Sequence, residues 1–185
     1  MKRVFLDLSR CTGCRSCELA CAVQHSRSQN LFEAIFESPP PRKRTYLESI
    51  DGIPYPARCM HCSEAPCIEV CPVSAMYREE EFQTVRVDKE RCMGCLMCAM
   101  VCPNGVIGFD PYKGVAIKCG LCRSRLREGR VPACVESCPT GALSFGEFEE
   151  LERQKRLRTA RVVLKAVKLA EQGTLPIYSE RTGGE

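Results

Sequence analysis

Aromatic residues and histidine are scarce in this sequence. Its 185 residues include no Trp, 7 Phe, 5 Tyr and 2 His. Apolar residues make up 44% of the chain, but that fraction includes 16 Cys. The chain is long enough for one domain or two small ones, yet the apolar core it can build is modest. Something other than apolar packing must therefore help to hold the fold together.

Several functional signals are also missing. No apolar run is long enough to form a transmembrane helix. Residues 1–10 have neither the apolar segment nor the twin-Arg pair of an export signal, so we expect a cytoplasmic protein. The net charge of +4 is too small to indicate nucleic-acid binding. With no P-loop, dinucleotide-binding glycine motif or Ser–His–Asp set, the sequence predicts a chain that is not itself an enzyme.

Cysteine, by contrast, is abundant and regularly spaced. The 16 Cys fall into four groups of four, each opening with C-x-x-C and closing with C-x-x-x-C, which is an internal repeat. Three groups end in Cys-Pro, whereas Ala22 follows the first group, where we expect only a local change in the turn. The groups are Cys11, Cys14, Cys17 and Cys21; Cys59, Cys62, Cys67 and Cys71; Cys92, Cys95, Cys98 and Cys102; and Cys119, Cys122, Cys134 and Cys138.

This spacing favours iron–sulfur clusters over disulfides or zinc. Disulfides are rare in a reducing cytosol, where clustered thiols more often bind metal. Groups one and three have the C-x-x-C-x-x-C-x-x-x-C spacing of bacterial ferredoxins, and soft thiolates suit such clusters. A zinc ribbon requires two separate C-x-x-C pairs, which these compact groups do not follow. We therefore expect four [4Fe–4S] clusters, with a zinc-stapled interaction module as the alternative metal site.

Short apolar runs flank the groups and predict strands. A strand, a cysteine loop, a short helix and a returning strand form the repeating unit of bacterial ferredoxins. The sequence thus predicts an α+β fold, with a four-cluster domain over residues 1–145 and a helical extension and tail over 146–185. The runs lie at residues 4–8, 85–87, 106–109, 115–117 and 142–145.

Two basic segments allow alternative interpretations. Apolar residues at helical spacing predict a helix over 148–172, with Gly173 as its stop. Seven basic and no acidic residues lie between Arg153 and Lys168, so this helix either docks another subunit or packs on its own domain. Residues 38–44 contain consecutive prolines and three basic residues, which predict a stiff surface connection with solvated charges.

Residues near the cysteines have expected supporting roles. His25 and His61 are interpreted as surface residues or as neighbours of the ligands, because each group already has four Cys. Glycines within the first C-x-x-C permit tight turns that bring amides close to sulfur; they are Gly13, Gly94 and Gly120. Methionines are expected to pack softly around the clusters; they are Met60, Met93, Met97 and Met100.

The cysteine region as a whole resembles a known family. The segments at 58–72, 118–122 and 132–139 are similar to the second and fourth motifs of the four-cluster, ferredoxin-like electron-transfer subunits of formate dehydrogenases, hydrogenases and molybdopterin oxidoreductases. The first group, CTGCRSCELAC, with His25 after it, most resembles the small subunit of anaerobic carbon monoxide dehydrogenase systems. A similar small subunit serves tungsten aldehyde oxidoreductases.

The resemblance implies a crossed ligand pattern within two interlocked dicluster modules. In this pattern the last Cys of each group ligates a cluster held by another group. Groups one and four pair, and groups two and three pair. The implied sets are set A (Cys11, Cys14, Cys17, Cys138), set B (Cys119, Cys122, Cys134, Cys21), set C (Cys59, Cys62, Cys67, Cys102) and set D (Cys92, Cys95, Cys98, Cys71).

The function implied by the resemblance is electron relay. One end of the cluster chain would meet a catalytic metalloenzyme, with carbon monoxide dehydrogenase as the first choice and tungsten aldehyde oxidoreductase or formate dehydrogenase as alternatives. The other end would meet a hydrogenase, a flavoprotein or a ferredoxin. A different class of function, an iron–sulfur carrier or maturation protein, stays open from the residues alone.

Overall fold

The computed structural model describes residues 2–171 of the chain, which form small strands and mostly short helices. The strands are β1 (Lys2–Leu6), β2 (Thr45–Ile50), β3 (Ile53–Arg58), β4 (Met76–Glu79), β5 (Thr84–Val87), β6 (Gly108–Asp110), β7 (Val115–Ile117) and β8 (Leu143–Glu147). The helices are α1 (Ser16–Gln24), α2 (Leu31–Ala34), α3 (Pro66–Glu69), α4 (Met97–Met100), α5 (Arg123–Arg127), α6 (Ala133–Glu136) and α7 (Phe148–Glu171). This mixture agrees with the predicted α+β class.

The strands pair into two-stranded sheets. Strands β2 and β3, β4 and β5, and β6 and β7 form antiparallel hairpins of consecutive strands. Strand β1 pairs instead with β8, which lies more than a hundred residues further along the chain. This long-range pair brings the first cysteine group beside the fourth.

Buried apolar residues form two separate cores that follow the same pairing of groups. One core contains Cys17 of the first group and Cys134 of the fourth, packed with Val4, Leu121 and Leu143. The other joins groups two and three; it consists of Ala65, Cys67, Met76, Val85, Cys98, Ile107 and Ala116. Cysteines are thus part of the apolar core itself, as the small number of large apolar residues requires.

The predicted strands are found with shifted boundaries. The runs at 85–87 and 115–117 lie in β5 and β7. Strand β1 ends before residue 8, because Asp7 accepts a hydrogen bond from the Ser9 amide at 3.2 Å and starts a short 3-10 helix. The runs at 106–109 and 142–145 begin too early, since β6 starts at Gly108 and β8 at Leu143. Residues 106 and 107 are instead buried loop residues.

Helix α1 corrects one expectation about the first group. Helices α3, α4 and α6 have four residues and end before the Cys-Pro step, whereas α1 has nine residues and continues past Cys21. Proline disfavours helical conformation at the residue before it, and Ala22 removes that restriction. The effect of Ala22 is therefore a longer helix and not only a local change in the turn.

The chain divides into two compact units between Phe145 and Gly146. The second unit contains α7, which covers most of the predicted helix at 148–172. The predicted stop at Gly173 and the tail after it lie outside the described residues. No helix within residues 2–171 is both long and apolar enough to cross a membrane.

Candidate iron–sulfur sites

The C-x-x-C pair that opens each group has a left-handed residue at the same position. The residue before its second Cys has a left-handed conformation; these residues are Gly13, His61, Gly94 and Leu121, with φ of 73°, 50°, 72° and 59°. The turn directs the amide of His61 to Cys59 Sγ at 3.4 Å and that of Leu121 to Cys119 Sγ at 3.5 Å. Gly120 has no left-handed φ, so the tight turn of the fourth group depends on Leu121 instead.

A glycine is required at one of these turns by a close approach as well as by its conformation. A Cβ atom at position 94 would collide with the carbonyl oxygen of Gly114 and lie 3.2 Å from the Phe109 ring. The hairpin β6–β7, whose loop contains Gly114, therefore packs directly against the cysteine loop of the third group. This contact fixes the loop on which Cys92 and Cys95 lie.

Two small cavities each bring together cysteines from different groups. One is lined by Cys11, Cys14 and Cys17 of the first group and by Cys138 of the fourth. Leu47 is among the apolar residues that close it. The four cysteines of set A thus line one small cavity.

The second cavity has the same construction in the other half of the cysteine region. Cys92, Cys95 and Cys98 of the third group line it together with Cys71 of the second. These are the residues of set D. Among the described residues, no three His, Cys, Asp or Glu side chains are arranged to hold one single metal ion.

The electrostatic environment of the remaining cysteines relates the members of set B to one another and relates Cys67 of set C to Cys59 and Cys102. Burial raises the pKa of Cys21 to about 12, and the nearby Cys119 and Cys122 add to this shift. Burial also raises the pKa of Cys134, again with Cys119, Cys122 and Cys21 contributing. The four cysteines of set B therefore lie close together in a dry environment.

For set C, the evidence comes from the surroundings of Cys67. Burial raises the pKa of this thiol, and Cys59 and Cys102 act in the same direction while Lys118 opposes them. Burying several thiols together is unfavourable for their charged forms, so they need a cation to become ligands. Iron supplies that positive charge, and all-sulfur coordination with apolar walls fits an iron–sulfur cluster.

Backbone amides next to the cysteines also donate to sulfur. Such hydrogen bonds stabilise the negative charge on a cluster and help to set its reduction potential. The donors are spread over both halves of the cysteine region. They are Arg44 N to Cys21 Sγ at 3.2 Å, Ala75 N to Cys71 Sγ at 3.2 Å and Ala116 N to Cys92 Sγ at 3.4 Å.

Two buried cations lie beside the central cysteines. Arg58 and Lys118 have exposed fractions of only 6% and 4%. Arg58 donates to the Val4 carbonyl, and Lys118 Nζ donates to the Cys119 carbonyl at 3.1 Å. Burial lowers the pKa of Arg58, while Cys134 and then Cys119 oppose that shift. These cations lie where they can balance the negative charge of the neighbouring clusters.

A sequence signal for these cations was missed by reasoning from the cysteines alone. A basic residue immediately precedes the first Cys of every group: Arg10, Arg58, Arg91 and Lys118. The two that precede groups two and four are buried, and the two that precede groups one and three are exposed. The same sequence feature thus gives two buried and two exposed cations, and only the structure reveals which two are buried.

The basic segment at 38–44 is attached to the protein more firmly than expected. Arg42 donates to the Phe109 carbonyl at 3.0 Å, and Lys43 forms an ion pair with Glu18. The Arg44 amide donates to Cys21. Our interpretation of these charges as a solvated cluster was thus wrong for Lys43 and Arg44, both of which are partly buried.

His61 is a neighbour of the cysteines, whereas His25 is half-buried after the first group. His61 is buried, and its Nδ1 accepts a hydrogen bond from the Val85 amide at 3.1 Å. Burial lowers the pKa of His61 to about 2, so it is neutral at physiological pH. Burial likewise lowers the pKa of His25 to about 3. His61 therefore joins the second cysteine group to strand β5.

The expected packing of the methionines around the clusters is found for Met93, which lines the set D cavity although it is exposed. All four are exposed, whereas the methionine of the apolar core is Met76 of β4. Their positions in the cysteine loops suggested packing. Each loop has one face toward the sulfur atoms and one toward solvent, and exposed methionine side chains lie on the solvent face. The exposed methionines are Met60, Met93, Met97 and Met100.

These features together define an iron–sulfur protein of the ferredoxin type, in which sixteen cysteines fit four [4Fe–4S] clusters. A family described as "4Fe-4S dicluster domain" matches residues 50–148, and one described as "4Fe-4S binding domain" matches residues 2–23. The chain belongs to the 4Fe–4S dicluster family of ferredoxin-like iron–sulfur subunits.

The protein is also similar to electron-transfer proteins of anaerobic reductases. It is 39% identical over 154 residues to the thiosulfate reductase electron transfer subunit PhsB of Salmonella typhi, covering 80% of this protein and 77% of that one. It is 37% identical over 155 residues to one polypeptide of the anaerobic dimethyl sulfoxide reductase of Escherichia coli, covering 81% and 75%. An iron–sulfur protein of Rhodospirillum rubrum is 37% identical over 175 residues, covering 88% and 91%. The protein is thus a non-catalytic electron-transfer protein.

Proposed function

We propose that this chain is the electron-transfer subunit of an oxidoreductase complex, in which the clusters of sets A to D form one continuous relay. The observation that carries the proposal is the exposure of the cysteines. Of the sixteen, all within the described residues, only Cys14 and Cys95 are exposed. Cys14 belongs to set A and Cys95 to set D, so these two sets form the ends of the relay and sets B and C lie inside.

The order of the inner sets follows from their neighbours. Sets A and B are joined by helix α1, on which Cys17 and Cys21 lie one turn apart. Burial raises the pKa of Cys119 in set B, and Cys59 of set C is the next largest contributor. Burial raises the pKa of Cys98 in set D to about 11, with Cys67 of set C next. The helix that joins sets A and B and the electrostatic effects between cysteines of neighbouring sets support the order A, B, C, D.

The catalytic partner is proposed as a metalloenzyme of anaerobic metabolism. Two of the relatives named above belong by name to a thiosulfate reductase and a dimethyl sulfoxide reductase, which supports a reductase of such sulfur compounds. Neither name points to carbon monoxide dehydrogenase, which stays a prediction from the first cysteine group, as do formate dehydrogenase and tungsten aldehyde oxidoreductase. The acceptor and the cytoplasmic location likewise stay predictions.

The relay and its partner are tested together by isolating the tagged chain anaerobically with its native complex. Carbon monoxide is expected to bleach the visible absorbance of the clusters if the partner is a carbon monoxide dehydrogenase. Thiosulfate or dimethyl sulfoxide is expected to reoxidise dithionite-reduced clusters if it is a reductase. A matched sample of the isolated chain should show neither reaction, because it lacks a catalytic site. Transfer of its clusters to an added apo-ferredoxin would instead favour a carrier function.

Helix α7 is proposed as the element that docks the partner. Its exposed residues Leu157, Ala160, Leu164 and Val167 repeat at alternating spacings of three and four, the pattern of a helix that packs against another helix. The positions beside this stripe include basic residues, namely Arg156, Arg161 and Lys168. Two copies of α7 would place these like charges together, so a helix with acidic flanks on another subunit is the better fit.

Charge introduced into this stripe is expected to separate the complex without damaging the relay. Leu157→Glu with Leu164→Glu should weaken binding of the partner by at least about tenfold, because both leucines would lie at the centre of the helix contact. The matched control is Arg158→Glu with Lys165→Glu, on the opposite face. Binding is measured by sedimentation of the anaerobic complex, and cluster content by iron analysis. Equal weakening by both variants would contradict docking through the apolar stripe.

A further inference from the structure

The third cysteine group differs from the other three in charge. Residues 92–108 contain no charged side chain, although charged residues make up 27% of the chain. Each of the other groups contains charged residues between its cysteines, for example Arg15 in the first, Glu64 in the second and Arg123 in the fourth. The loop that surrounds one end of the proposed relay is therefore electrically neutral.

This neutral loop exposes large apolar side chains. Met93, Met97 and Met100 have exposed fractions of 64%, 41% and 85%. Met97 and Met100 lie one helical turn apart on α4, and Met93 lines the set D cavity beside Cys95. Val73, also exposed, lines the same cavity. An exposed apolar cluster of this kind marks an interaction surface in a soluble domain.

The other exposed cysteine has different surroundings. Cys14 is followed by Arg15, which lines an open groove together with Arg42, Lys43 and Glu18, and Glu18 forms ion pairs with both Arg15 and Lys43. Its thiol also donates to Ser16 Oγ at 3.4 Å. One end of the relay is thus polar and carries charges of both signs, while the other is apolar and uncharged. Two different partners suit these two ends.

We propose that Met93, Met97, Met100 and Val73, which we call the methionine patch, dock a redox protein whose contact surface around its own redox centre is apolar and uncharged. The inference rests on the proposed relay, because it takes set D as the point where electrons leave for the acceptor. Cys95 lies within the patch and is exposed, so a partner seated there comes next to a cluster ligand. Methionine side chains adapt their shape to different surfaces, which suits a partner that binds and leaves repeatedly.

Other occupants of the patch fit less well. A second copy of this chain would cover both set D ends against each other and leave the relay without an exit. A membrane surface generally requires basic residues and Trp beside the apolar side chains, and the loop has neither. A partner that presents acidic residues would find no cation within residues 92–108 to pair with.

The test uses the native complex with its clusters and compares two electron-transfer steps. Met97→Glu with Met100→Glu places two charges in the patch, and Met60→Glu places a charge on another exposed methionine. The first step is reduction of the clusters through the catalytic subunit, recorded by visible absorbance. The second step is reoxidation of the reduced complex by the host extract fraction that reoxidises the wild-type complex, at low and at high salt.

We expect the patch variant to slow the second step by about tenfold or more, because a charge is buried against an apolar partner surface. Met60→Glu, Met97→Leu and Met100→Leu should react at nearly the wild-type rate. The wild-type rate should change little with salt, since charge steering is absent. The first step should be unchanged in every variant. If the clusters of the wild-type complex are not reduced through the catalytic subunit, that result contradicts the proposed relay and not the patch.

Three results would overturn the patch. They are a wild-type rate of the second step in Met97→Glu with Met100→Glu, a steep fall of the wild-type rate with salt, and a self-association in sedimentation that the two substitutions abolish. Binding to phosphatidylcholine vesicles that the substitutions abolish would assign the patch to a membrane and would also reject the redox protein as occupant.

Discussion

Cys21→Ser is expected to remove the cluster of set B while the cluster of set A stays in place. Cys21 belongs to the first group by sequence, but its thiol is buried among Cys119, Cys122 and Cys134 of the fourth. A serine hydroxyl is a harder and poorer ligand for iron than a thiolate. The variant should therefore lose about one quarter of the bound iron, measured in the anaerobically purified protein, together with one set of electron paramagnetic resonance signals.

The crossed pattern gives this experiment its own controls. Cys17 lies one turn before Cys21 on α1 and lines the set A cavity. Cys17→Ser and Cys138→Ser should therefore lose one signal, and Cys21→Ser and Cys134→Ser a different one. If the variants pair by sequence group, so that Cys17→Ser matches Cys21→Ser, the crossed assignment of sets A and B is wrong.

The candidate ligands could be predicted from the sequence because the information needed is local. Spacings of two and three residues place thiols around one loop, and soft ligands without charge partners favour iron. The pairing of groups is not local, since Cys17 and Cys138 are far apart in the chain. It came from a resemblance, and the two cavities that join Cys138 to the first group and Cys71 to the third give it independent support.

Features that depend on burial could not be predicted. Helix α4 has four residues, too few for a periodicity that separates an inner from an outer face, so its methionines were expected to pack around the clusters. The hairpin β2–β3 was not predicted at all, although Asp51 and Gly52 between its strands are a strong turn signal. Pro54 and Pro56 argued against a strand there. They are tolerated because the sheet has two strands and both are edges.

Lys118→Met is expected to lower the reduction potential of the inner clusters, of sets B and C. An added electron makes a cluster more negative, and the buried ammonium next to Cys119 stabilises that charge in a medium of low polarity. Lys118 also lowers the pKa of Cys67 against the effect of burial, so it acts on set C as well. We expect a decrease on the order of 60 mV, the one-electron equivalent of about 1.4 kcal/mol, in a redox titration followed by electron paramagnetic resonance.

Arg91→Met is the matched control, because Arg91 precedes the third group as Lys118 precedes the fourth but is exposed and paired with Asp88. Water and salt screen its charge, so the potential of set D should change little. Lys118→Arg should restore most of the wild-type potential, which a purely steric role of the side chain would not explain. Equal shifts in Lys118→Met and Arg91→Met would show that burial is not what gives Lys118 its effect. If burial gives these cations their effect on the reduction potential, the inner clusters accept electrons more readily than they would without Arg58 and Lys118. Electrons would then be held between the two ends of the proposed relay until a partner docks.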